Sequence, residues 1–246
     1  MALSLTEWVL AVICASLVGL AKGGLMMVGS LAVPVLALVM PPVQAAALLL
    51  PVYIASDMGG LIAYRKAWDR RVLATLLPGA VVGIALGWAT AHLVSDRIIG
   101  LIIGLIGAVY AVRILARARP GGASAPRLGA GSFWGVIAGY TSFVSHNGAA
   151  PYQIYVQPLG LPAIAYAGTT TVFFAIVNIV KLVPYAALGQ FSAANLQIAA
   201  ILCLPALVSV WIGVRIVRVL PTHIFYAFIT WALLLVSLKL IWSGLF

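Results

Sequence analysis

Apolar residues fall along this chain in long runs rather than in amphipathic stripes. The runs lie near 5–21, 25–39, 43–63, 72–92, 97–115, 131–146, 148–158, 162–187, 195–217 and 222–245, with short polar or basic turns between them. About 20 apolar residues in a helix cross a hydrocarbon core roughly 30 Å thick. The longer runs meet that length, so the pattern predicts an all-α polytopic membrane protein. The first two runs, and then 131–146 and 148–158, are short for a full crossing. They meet at Lys22-Gly23-Gly24 and at His146-Asn147-Gly148. Each pair predicts a broken or re-entrant hairpin, or two steeply packed short helices.

Composition agrees with that pattern. Hydrophobic residues make up 64% of the chain and charged residues 7%, whereas a soluble domain carries about a quarter charged. Too few polar side chains are present to cover a water-exposed surface. The formal charge of +10 would suggest nucleic acid in a soluble protein. Here it marks topology instead. Loop 64–71 holds Arg65, Lys66, Arg70 and Arg71, loop 113–127 holds Arg113, Arg117, Arg119 and Arg127, and the turn 215–221 holds Arg215 and Arg218. The opposite loops, 40–43, 93–97 and 188–194, hold only Arg97. Basic loops stay cytoplasmic, which places both termini outside the cell's inner membrane. The start of the chain has no basic n-region, so the first run is expected to remain in the mature protein. Cys14 and Cys203 lie inside apolar runs and predict packing rather than a disulfide.

The stretch 116–130, ARARPGGASAPRLGA, is linker-like and divides the chain into halves of similar plan, 1–115 and 131–246. Each half is a short broken hairpin followed by three full helices. Leu77-Pro78 and Leu204-Pro205 open corresponding elements, and Gly87 and Gly213 follow. The loop charges orient the halves oppositely. The expectation is two inverted-topology repeats, a plan common among secondary transporters.

Polar residues deep in lipid are expensive, which makes their positions informative. Lys22 stands at the first break beside Gly23 and Gly24, where backbone can approach a ligand and a new helix terminus can favour an anion. His146, Asn147 and Gly148 form the second break, and His146 changes charge near neutral pH. Thr171, Phe174, Asn178, Lys181 and Tyr185 follow spacings that place them on one helical face. Tyr53 and Asp57 share a face of 43–63, with Asp57 as a counter-charge for Lys22 or Lys181, or as a proton carrier. Gln153 and Tyr155 follow the second break as further candidates. Metal spacing, a phosphate loop and a nucleophile with a matched base are all missing from the sequence, so neither a cofactor nor an enzyme is expected.

Two patterns within these residues resemble a known family. GLAKGG at 19–24 precedes Pro34 and then LLLP at 48–51 with Asp57. YTSFVSHNG at 140–148 precedes Pro151 and then GTT at 168–170, Phe173, Phe174, Asn178 and Lys181. Together they resemble the TauE/SafE sulfite exporter family of bacterial permeases, over nearly the whole chain. The resemblance implies export or exchange of sulfite, thiosulfate, an organosulfonate or a similar small anion, by a proton-driven or uniport mechanism. Met26 and Met27 stand where that family often carries small residues, which bears on the shape of the pocket. An anion channel or uniporter with the same lining is the alternative. The expected partners are the small anion, the bilayer, protons as coupling ion and a second copy in a homodimer.

Overall fold

The computed structural model describes residues 4–40, 42–90, 96–116, 125–145, 147–187 and 193–245. Among these residues the chain is helical, without strands. Helix α1 (Leu5–Lys22) opens on a reciprocal cap: the Ser4 backbone N–H donates to Glu7 Oε2 at 2.7 Å, and the Glu7 N–H donates to Ser4 Oγ at 3.3 Å. That arrangement satisfies two donors that a helix start otherwise leaves open. α1 ends at Gly23, and Gly24 turns the chain with φ +112°. At this φ a side chain would be strained.

The run expected at 25–39 contains two short helices, α2 (Met26–Gly29) and α3 (Ala32–Leu36). They separate at Ser30, whose hydroxyl donates to the Met27 carbonyl at 2.7 Å. Pro34 lies in the first turn of α3, where a missing N–H does little harm. Then follow α4 (Pro42–Ala63), α5 (Arg70–Thr90), α6 (Asp96–Ala116) and α7 (Leu128–Ser145). α8 (Ala149–Val156) closes through a 3-10 turn at Gln157–Leu159, and α9 (Ala163–Ala187), α10 (Ala193–Val219) and α11 (Thr222–Leu245) complete the chain. Among the described residues, five segments are long and apolar enough to cross a membrane: Leu5–Lys22, Arg70–Thr90, Ala163–Pro184, Leu196–Val219 and Thr222–Leu245. The first of these was expected to be marginal, but it contains 18 helical residues. Large apolar side chains such as Leu204 and Trp242 face outward, more than 60% exposed, as a lipid-facing surface requires.

Small residues set the packing. α5 lies against α7 through Gly79, Gly83, Gly135 and Gly139, where a methyl group would strike the opposite backbone. α1 lies against α10 in the same manner through Gly19, Gly23 and Gly213. In lipid, association depends on such close backbone approach because apolar burial alone supplies little drive. α6 packs on α11, and α4 touches both α9 and α10. The break after α1 packs against the C-terminal part of α4 and the first turns of α9, where Gly60 and Thr171 meet the Lys22 carbonyl.

Candidate functional site

Among the described residues, three charged side chains are buried in the interior of this bundle: Lys22, Asp57 and Lys181. Lys22, the last residue of α1, lies 7% exposed and does not reach a surface. Its Nζ meets Asp57 Oδ1 of α4 at 2.6 Å. Asn178 of α9 donates from Nδ2 to the other carboxylate oxygen at 2.7 Å. The Lys22 ammonium also sits 5.4 Å from the Tyr53 ring centre and 5.9 Å from that of Phe174, within range of a cation–π attraction. Asp57 therefore neutralises Lys22 and is itself held in place by an amide.

Lys181 differs. It is 1% exposed, and its Nζ donates to the Ser142 carbonyl at 3.1 Å and to Ser142 Oγ at 3.2 Å. Both partners are neutral. With all three groups ionised, two ammonium groups and one carboxylate leave a surplus positive charge among the described residues of the interior. A buried charge without an opposite partner is costly.

Lys22 and Lys181, with Asn178 and Ser142, line a common cavity of about 60 Å³. A cavity needs at least about 10–15 Å³ to hold one water. The space thus suits a few waters or one small ion. α9 supplies the longest wall, with Thr170, Thr171, Phe174, Asn178 and Lys181. Its hydroxyls are anchored: Thr171 Oγ1 donates toward the Ala167 carbonyl at 2.9 Å and the Lys22 carbonyl at 3.3 Å. Thr170 Oγ1 donates to the Tyr166 carbonyl at 2.8 Å and to the Tyr152 hydroxyl at 3.0 Å. α4 supplies Tyr53, whose hydroxyl donates to the Gly29 carbonyl at 3.0 Å. α2 and the bend after it supply Met26, Gly29 and Ser30. The first residue of α8, Ala149, completes the opposite side, and no side chain caps the start of that helix. A helix N-terminus beside a cavity favours negative charge.

Lys22, Tyr53, Thr171, Asn178 and Lys181, anticipated from the sequence, all line the cavity, and Asp57 is bonded to two of them. Gly23 and Gly24 shape the break without lining the cavity. Gly23 packs on Gly213, and Gly24 sits among Tyr64, Ala167 and Val217. Gly148 is pressed against Ala138, Ser142 and Phe174, and the Asn147 N–H donates to the Thr141 carbonyl at 3.1 Å. His146 lies outside the described residues. Gln153 and Tyr155 point elsewhere. Gln153 Nε2 donates to Gln157 Oε1 at 2.9 Å and to the Ile229 carbonyl at 3.0 Å. Tyr155 contacts Thr75 at 3.1 Å and the Arg127 backbone at 3.2 Å. Ser30 and Ser142 were not singled out from the sequence, although both line the cavity. Met26 and Met27 both pack in the core, and Met26 also lines the cavity.

A buried pocket lined by two lysines, inside a bundle of helices long enough to cross a membrane, has the charge to suit an anion. The profile of one family, Sulfite exporter TauE/SafE, matches residues 9–240. The chain belongs to that family. The match takes in every helix that lines the pocket. The protein is accordingly an integral membrane transport protein of the sulfur-anion exporter type. No match was found among curated proteins or among solved structures.

Proposed function

We propose that this member carries a small sulfur oxyanion, such as sulfite, thiosulfate or a small organosulfonate, out across the bacterial inner membrane by alternating access around the Lys22–Lys181 pocket. The observation that carries this reading is the surplus ammonium of Lys181, buried and held by neutral groups alone. A monoanion entering the cavity would neutralise it. Desolvation of both charges is then offset by direct attraction in a low-dielectric setting. Several donors converge on the cavity from α1, α7, α8 and α9, which suits the three oxygens of a sulfur oxyanion.

The helix packing supports two inverted repeats, with α1 to α6 as one and α7 to α11 as the other. Under exchange of the two, the contact of α5 with α7 becomes that of α10 with α1. The pairs α4 with α9, and α6 with α11, map onto themselves. Each repeat thus lends its first helix to the other, and both halves contribute to one pocket. Rocking of one repeat against the other would expose that pocket to either side in turn. The basic loops at 64–71, 113–127 and 215–221 orient the carrier with those loops in the cytoplasm.

The test uses purified protein reconstituted into liposomes loaded with labelled sulfite. A carrier releases label in saturable exchange for unlabelled sulfite outside. Lys181→Gln abolishes that exchange. Exchange at the wild-type rate in Lys181→Gln would overturn the site, and an ohmic current in its place would make the protein a channel.

A further inference from the structure

Building on the transport reading above, we infer that Met26 sets the size limit of the substrate, admitting a bare sulfur oxyanion and refusing organosulfonates that carry a tail. The cavity measures about 60 Å³. Sulfite fills such a space. Sulfoacetate needs room for a carbon chain and a second acidic group as well.

Most of the walls cannot retreat to make that room. Phe174 is fixed by ring contacts with Phe173 at 5.0 Å and Tyr152 at 5.4 Å. Tyr53 is tied to the Gly29 carbonyl at 3.0 Å. Thr170 and Thr171 are bonded back to their own helix. The residues beside Met26 on the same wall, Gly29 and Ser30, are already small. Met26 is the long apolar side chain of the lining, and it is 8% exposed. It is carried by α2, a four-residue helix directly after the turn at Gly24. Its thioether contributes bulk and no hydrogen bond, so trimming it enlarges the cavity without disturbing Lys22, Asp57 or Lys181. One methylene of misfit in a close apolar contact discriminates by about 10-fold or more.

The test measures uptake of labelled sulfite into liposomes that hold the full-length protein, with unlabelled sulfite or sulfoacetate as competitor on the same side. In the wild type, sulfoacetate is expected to compete at least ~10-fold more weakly than sulfite. Met26→Ala should bring the two within about 3-fold of each other. Met26→Leu, which conserves volume, should keep the wild-type ratio. Thermal melting in detergent reports whether each variant is folded, and Met26→Val takes the place of Met26→Ala if that variant is not. Equal competition by both anions in the wild type overturns the inference. So does a ratio unmoved by Met26→Ala, or by Met26→Val in its place. If the wild type takes up no sulfite at all, the transport reading itself falls, and the size filter falls with it.

Discussion

Two groups of polar side chains are buried in this bundle, and only one of them has the makings of a site. The first is Lys22, Asp57, Asn178, Lys181 and Ser142, around a cavity. The second is Gln153, Gln157 and Thr230, which joins α8 and its 3-10 turn to α11. Both lie among apolar neighbours, and both hold hydrogen bonds between distant parts of the chain. They differ in charge balance and in space. The glutamine group is neutral, and its members do not line the cavity. The lysine group has one cation too many and room for a small ion beside it. Burial of polar groups can serve packing alone. Unbalanced charge next to a void does nothing for packing and calls for a ligand.

Four substitutions test that contrast, and Asp57→Asn should have the largest effect. It leaves Lys22 without its partner at 2.6 Å. Breaking a buried pair from one side costs about 3–5 kcal/mol. Thermal melting should fall sharply and transport should be lost. The double variant Lys22→Met with Asp57→Asn removes both charges and should recover much of the stability without recovering transport. A double variant as unstable as the single one would show that the pair is not the source of the loss.

Lys181→Gln comes next. Transport should drop by about 100-fold, since losing one member of a buried charged contact costs at least 2 kcal/mol. The ligand-free protein should melt no lower than the wild type, and even higher, because an uncompensated cation has been removed. Sulfite should then no longer raise the melting temperature. A fall in melting temperature with sulfite binding intact would make Lys181 a structural residue. Ser142→Ala should have a smaller effect. It removes the Oγ acceptor at 3.2 Å but leaves the backbone carbonyl at 3.1 Å. With one of two contacts kept, the apparent affinity for sulfite should weaken by about 3- to 10-fold. An unchanged competition curve would show that the hydroxyl does not help to place the ammonium.

Much of the bundle was legible in the sequence because lipid imposes a simple rule of length and apolarity. Runs of residues matched helices to within a few positions, and the breaks after α1 and α7 fell at the glycines that mark them. The charged half of the pocket was legible for the same reason. A lysine or aspartate in the middle of an apolar run has to find a partner or a cavity. Ser30, Ser142 and Thr170 gave no such sign. A serine or threonine can bond to a carbonyl of its own helix, as Thr170 does to Tyr166, and so sits in an apolar run at little cost. The division of 25–39 into α2 and α3 was also hidden, since the bend rests on one serine hydroxyl and involves no charge.

Gln153 is the sharpest case, because the rule that found Lys181 also selected it. Its distant partner, the Ile229 carbonyl, lies on α11, 76 residues along the chain, and no local pattern announces it. Gln153→Leu should therefore be the mildest of these changes for transport. The substitution leaves the Gln157 Oε1 and Ile229 carbonyl without their donor, at about 1–3 kcal/mol of stability. The melting temperature should fall while the apparent affinity for sulfite stays within about 2-fold of the wild type. The two readouts then separate in opposite senses for the two groups: Lys181→Gln loses binding and keeps stability, and Gln153→Leu loses stability and keeps binding. A weakened affinity in Gln153→Leu would mean that the α8–α11 contact moves with the pocket, and that surplus charge and space are not the whole of what distinguishes a site here.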